Sequence, residues 1–224
     1  MLTPEEAIRR VDEIVVMSAT DFRAASRTYV VWKSSNDIIA FQMKDVRGKN
    51  AHSFNVVQNS LLMKLALDVA RIFDHSDIVR HPMAEQDKAS IPVLAALIGI
   101  PSVQAELLSR AAKSSQTAIN INTEIANIIG VWQKFVVPNS AELNALKRLK
   151  EFRTKRLAHA LFDSEPDEFP TINDVILLLE NARIAIKAAY SIIYHVDPEA
   201  NGQIDELRKD AEEFSSRVLA ALKS

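Results

Sequence analysis

Apolar and polar positions follow a helical period along almost the whole chain. From Ser53 to Phe73 the apolar positions include Val57, Leu61, Leu62, Leu65, Leu67 and Val69, with Ile72 and Phe73 at the end. So broad a stripe predicts a helix buried on more than one side. Upstream, Thr3 suits an N-cap, Pro4 a first helical position, and Glu6 completes a capping box. Helix is predicted from Pro4 to about Lys33, with a break near Ser18-Ala19-Thr20. A second break is predicted at Ser34-Ser35-Asn36, then a short helix over Asp37–Asp45 and a loop over Val46–Asn50. After a polar loop holding Pro82, a short helix spans Ser90 to Ile98, with Pro92 tolerable in its first turn. Gly99 ends it and Pro101 opens the next. Ser102 to Val137 reads as helix in two segments meeting near Lys113-Ser114-Ser115, stopped by Pro138-Asn139. Ser140 caps a helix running to Phe162. Thr171 and Asp174 cap another through Tyr194, and an amphipathic helix over Ile204–Lys223 follows. Seven to nine helices and no strand predict an all-α helical bundle.

Composition narrows what such a bundle can do. Apolar residues make up 48% and charged residues 25% of the 224, which predicts a folded chain rather than a disordered one. The organisation expected is an N-terminal helical extension, residues 1–49, packed on a bundle of residues 50–224. The 4 glycines are far apart, which excludes Gly-rich phosphate loops. Cysteine is absent, which excludes disulfides, thiolate zinc sites and Cys nucleophiles. The N-terminus is acidic and carries no apolar core of a signal peptide. The longest apolar stretch, Ile91–Ile100, is too short to cross a bilayer. A cytoplasmic protein without a membrane partner is expected.

The net charge is only −2, yet charge is unevenly placed. Lys147, Arg148, Lys150, Arg153, Lys155 and Arg156 crowd one helix with a single acidic residue, Glu151, and His159 follows. From Ala160 to Ala182 no basic residue occurs, and Asp163, Glu165, Asp167, Glu168, Asp174 and Glu180 do. One reading is a solvated helix face whose cations suit the negative end of the helix dipole. The other is a phosphate-binding surface with a proton-transferring His beside it. Lys155 and Arg156 lie near His159 on adjacent helical ridges, and Asp163 is placed to support the imidazole. Arg153 lies about one third of a turn from His159 and roughly 9 Å along the axis. The two would share a phosphate only from the side, or with a second chain's help.

The segment Phe152-Arg153-Thr154-Lys155-Arg156-Leu157-Ala158-His159 resembles the Arg-x4–6-His signature of the HEPN superfamily. Ala70-Arg71-Ile72-Phe73-Asp74, the polar loop and the short helix after it are similar to the branch linked to phage abortive infection. The resemblance covers Asn50 to Tyr194. It implies an all-α bundle of the HEPN type that forms a homodimer, two motifs lining one cleft. It also implies RNA cleavage without metal or cofactor, with Arg153 and His159 as the catalytic pair. Such a His takes the proton of a ribose 2′-OH or gives one to the leaving 5′ oxygen. The Arg offsets charge building on the phosphorus. Thr154, Lys155, Arg156, Lys147, Arg148 and Lys150 are then candidate RNA or phosphate contacts. Many active members carry Asn after the Arg; here the residue is Thr154, which can still donate a hydrogen bond. A toxin–antitoxin or phage-defence role would bring an antitoxin or a nucleotidyltransferase as partner. Two alternatives stand beside it: a non-catalytic HEPN-like module for nucleotide, RNA or protein, and a helical scaffold whose basic helix meets an acidic partner.

Other chemistry-bearing residues have simpler readings. His75 and His81 near Asp74 and Asp77 match no common metal-ligand spacing, so an exposed loop is expected and no metal. Glu-x-x-His does not occur, which removes a ferritin-like di-iron site. His52 is expected to be exposed and His195 to cap a helix end. Tyr190 and Tyr194, Trp32 and Trp132 read as packing rather than as base-stacking platforms. No nucleophilic Ser elbow is present.

Overall fold

A computed structural model describes residues 2–42, 51–113, 120–158, 170–194 and 203–223. Among them every regular element is helical. In chain order these are α1 (Pro4–Gln42), α2 (Ala51–Ile72), α3 (Ile91–Ile98) and α4 (Pro101–Lys113). They are followed by α5 (Ile121–Lys134), α6 (Ala141–Phe152), α7 (Ile172–Tyr194) and α8 (Gln203–Lys223). A 3-10 turn occupies Met83–Glu85, and a π-helical stretch, Arg153–Ala158, continues α6. This is the all-α helical bundle the sequence predicts.

The caps fall where the sequence places them. Thr3 and Glu6 exchange hydrogen bonds at the start of α1, the backbone N–H of Thr3 donating to Glu6 Oε2 at 2.8 Å. Ser140 Oγ accepts from the N–H of Leu143 at 3.1 Å. Thr171 and Asp174 form a reciprocal box at the start of α7. Asn139, just before α6, takes φ 62°, a left-handed conformation Asn tolerates better than most residues.

Two expected breaks are absent. α1 passes through Ser18-Ala19-Thr20 and through Ser34-Ser35-Asn36 without interruption. Hydroxyls along it bond back into the helix, Thr20 Oγ1 to the Val16 carbonyl and Thr28 Oγ1 to that of Ala24, both at 2.9 Å. Ser34 and Ser35 are buried. Ser35 Oγ lies 2.8 Å from Ser215 Oγ on α8. Ser215 donates to the Ala211 carbonyl, which leaves Ser35 as the donor to Ser215. Small polar side chains here serve close helix contact, and tertiary packing overrides their weak helix propensity. Helix after Pro101 ends at Lys134 rather than Val137, because residues 135–137 form a turn before α6. The single helix expected from Ser140 to Phe162 is α6 followed by the π-helical stretch as far as residue 158. The loop expected at 46–50, the junction at 114–115, the acidic loop beginning at 163, and the residues 195–202 lie outside the described residues.

Two apolar cores hold the bundle, and α1 and α7 contribute to both. One gathers Leu65 and Val69 of α2 and Phe73 just after it with Phe135, Leu149 of α6 and Leu178 of α7. The other gathers Ile8 and Val11 of α1, Leu94 and Leu97 of α3, Ile128 of α5 and Ile192 of α7. α3 is buried along nearly all its length, and α4 leaves it at 84°. No single described helix is long and apolar enough to cross a membrane.

Candidate functional site

The site grows from the end of α2, where the first core meets a polar loop. Phe73, fully buried, packs its ring on Phe135 with centroids 4.7 Å apart. Trp132 also stacks on Phe135, with centroids 5.8 Å apart. These rings fix where α2 ends and therefore where Asp74 emerges. The loop that follows is clasped by Gln86, whose side chain is buried. Its Oε1 accepts from the N–H of Ser76 at 2.6 Å, and its amide donates to the carbonyls of Ser76 and His81. Arg10 of α1 binds the carbonyls of Ala84 and Gln86 and ties the loop to the bundle. A loop held this way presents its side chains in fixed places.

Asp74, half-buried, is the hub. Its Oδ2 accepts from Lys88 Nζ at 2.7 Å, and its Oδ1 lies 3.4 Å from both terminal guanidinium nitrogens of Arg153. Burial alone would raise its pKa. The Lys88 hydrogen bond and the charges of Arg153, Lys88 and Lys150 outweigh that and hold the carboxyl below its ordinary value. Lys150, one turn before Arg153, reaches toward the same carboxylate from α6. Burial is the main reason its pKa falls to about 8. Arg153 and Lys88 push the same way against the pull of Asp74. Among the described residues no carboxylate stands within ion-pairing distance of Lys150 Nζ.

His75 is not the exposed loop residue expected. It is half-buried, its ring set edge-on to Trp132 at 5.7 Å, with Nδ1 3.0 Å from the Ser76 carbonyl. Burial chiefly, and the nearby Lys150 and Lys88, lower its pKa and favour the neutral imidazole. His81 and His52 are exposed, and Tyr190 and Tyr194 pack ring on ring at 4.5 Å.

The basic block on α6 divides into residues with different surroundings. Arg148 grips Asp174 through two bonds, Nη2 to Oδ1 at 2.6 Å and Nε to Oδ2 at 3.0 Å. Lys155 pairs with Glu151 at 2.5 Å. Lys147 and Thr154 are exposed. Lys150 and Arg153 enter the Asp74 cluster. Arg156 lies within the π-helical stretch, and His159 and Asp163 lie outside the described residues. The cluster also contains three residues outside the basic block: Asp74, His75 and Lys88. The Ala70–Asp74 resemblance marked the neighbourhood of Asp74. Lys88 carried no signal, because its role depends on how the loop folds back.

Arg153 therefore stands at a rigid corner with a surplus of positive charge. Lys88, Lys150 and Arg153 face one carboxylate, an arrangement suited to a phosphate or another oxyanion. Among the described residues no group of three His, Asp or Glu side chains gathers as a metal site. No curated protein and no solved structure matches the chain. A family model does match: AbiU2, a HEPN family, over residues 5–214. That span takes in all of the geometry above, and the chain belongs to the HEPN-type AbiU2 family.

Proposed function

We propose that the chain is a metal-independent endoribonuclease of an abortive-infection or toxin–antitoxin system, working as a homodimer in the cytoplasm. An antitoxin or nucleotidyltransferase would restrain it. The family supplies the HEPN type and the association with abortive infection. The observation that supports catalysis on RNA is the setting of Arg153, held by Asp74 beside Lys150 and Lys88 where α6 ends. A guanidinium held so can meet a scissile phosphate without reorganising.

In this reading one His159 imidazole removes the proton of a ribose 2′-OH. The 2′ oxygen attacks phosphorus and the bond to the 5′ oxygen breaks. The imidazole of the second copy protonates the leaving oxygen, giving a 2′,3′-cyclic phosphate and a free 5′-OH. Arg153 offsets the charge gathering on the non-bridging oxygens. Lys147, Lys150, Thr154, Lys155 and Arg156 serve the strand beyond the reacting bond.

A second reading is favoured by one observation. Arg153 already has a carboxylate partner in Asp74, and a non-catalytic module could use the same cluster only to hold phosphate. Incubation of the purified protein with RNA in EDTA separates the two. Cleavage to cyclic-phosphate ends, lost in His159→Ala and on 2′-methoxy RNA, supports the enzyme. Absence of cleavage above the His159→Ala background supports the binding module.

A further inference from the structure

Two cations that sit on the two oxygens of one carboxylate stand side by side, close enough to serve neighbouring phosphates of one strand. Lys88 and Arg153 are placed so around Asp74, Lys88 on Oδ2 and Arg153 on Oδ1. Lys150 adds a third cation from α6. Its side chain loses hydration there, and the described residues give it no carboxylate of its own. Such a charge is costly unless an anion joins it. Asp74, Lys88 and Arg153 each keep about a quarter to a third of their side-chain surface open, so an anion can enter from solvent.

We propose that Lys88 and Lys150, gathered on Asp74 beside Arg153, form a subsite for a backbone phosphate of single-stranded RNA next to the phosphate that Arg153 engages. The inference rests on the ribonucleic-acid reading above but not on cleavage. Asp74 acts as a template that holds Lys88 and Arg153 side by side, one on each oxygen, so that neighbouring phosphates of one strand can meet them. The partly hydrated Lys150 supplies the unspent charge. The groups facing Lys150 are Asp74, His75, Lys88 and Arg153, three on the α2 end and its loop and one on its own strand of helix. A phosphate arriving among them favours the ammonium, so binding draws a proton onto Lys150 when the solution is near or above pH 8. A helix face exposed to water would show no such uptake.

The probe is a short RNA with 2′-methoxy sugars throughout, which offers phosphates but no attacking hydroxyl, so binding is read without cleavage. Its affinity for the full-length chain is followed by fluorescence anisotropy over a salt series. Lys88→Met and Lys150→Met each weaken binding by about tenfold. Each also lowers the slope of log affinity against log salt by about 0.7. Lys150→Arg retains most of the affinity, and Lys209→Ala, on the exposed face of α8, changes neither quantity. Should a Met variant fail to fold by circular dichroism, the wild type answers alone. Lys150 in ¹³C-methylated protein then titrates at a higher pH when the RNA is bound. Unchanged affinity and slope in both Met variants, or an unmoved Lys150 titration, overturns the subsite. Inorganic phosphate binding as tightly as the RNA, with the same lysine dependence, overturns the backbone assignment in favour of free phosphate. Lysine-dependent binding without cleavage of natural RNA counts against the ribonuclease reading alone. Cleavage with lysine-independent binding counts against the subsite alone.

Discussion

Arg148 and Asp174 meet as a two-bonded fork between α6 and α7, with Nη2 2.6 Å and Nε 3.0 Å from the two carboxylate oxygens. The same carboxylate accepts from the Thr171 N–H that opens α7. One ion pair thus joins a helix cap to the neighbouring helix. The Arg148 hydrogen bond is the main reason the Asp174 carboxyl lies below its ordinary pKa.

Arg148→Ala leaves Asp174, 7% exposed, without its partner. The expected loss is about 2–3 kcal/mol of folding stability at neutral pH, read from urea unfolding. The contribution is present above the ordinary carboxylate range and disappears as pH falls through the depressed native value. The gap between wild type and variant should therefore close in acid. A gap that persists unchanged at low pH would show that packing, not charge, makes the difference.

Lys150 gives a dependence of the same sign in the alkaline range, where burial makes the charged form costly. Its native pKa of about 8 lies below the ordinary 10.5, so the unfolded chain holds the extra proton between those values. Wild-type stability should rise relative to Lys150→Met as pH climbs through that window. Below about pH 8 both states are charged and the relative stability is flat. Denaturant midpoints at pH 7, 9 and 10.5 check this.

His75 can be followed through Trp132, since a protonated imidazole quenches an indole against its edge. In a Trp32→Phe background, emission should fall on acidification with a midpoint below the ordinary His value of 6.5. His75→Gln should abolish the transition. A midpoint at or above 6.5 would contradict the burial that sets the shift.

Ser35 and Ser215 admit little volume between α1 and α8. Ser35→Leu should destabilise by about 1–3 kcal/mol through overpacking. Ser35→Ala should lose about 1 kcal/mol or less, because Ser215 keeps its bond to the Ala211 carbonyl. Thermal melts of the two variants rank them.

Much of the fold was legible wherever local chemistry and packing agree. Thr3, Ser140 and Thr171 cap helices because their hydroxyls meet backbone N–H groups three residues on, a relationship contained within four residues. Ser34 and Ser35 misled because the same small polar side chains suit a loop or a close helix contact. Only the presence of α8 decides between them. The site divides along the same line. Arg153 and Lys150 were visible as part of a basic block on one helix. Lys88 was invisible because 65 residues separate it from Arg153, and their meeting depends on Gln86 folding the loop back. His75 looked exposed because nothing nearby in sequence announces Trp132.

The widened turn after α6 bears on how such a motif can change length. A π-helical turn holds one residue more than an α-helical turn, and it is the form a helix takes when it accommodates an insertion while its flanks keep their contacts. Here Leu149 and Phe152 stay in the core on one side, and the surplus is taken up within Arg153–Ala158. Removing one residue from that stretch would let it relax into ordinary α-helix without unseating either aromatic or aliphatic neighbour. The distance in sequence between an arginine and a histidine on such a helix is thus a loosely held quantity. What the bundle holds firmly is the corner at Asp74 from which that distance starts.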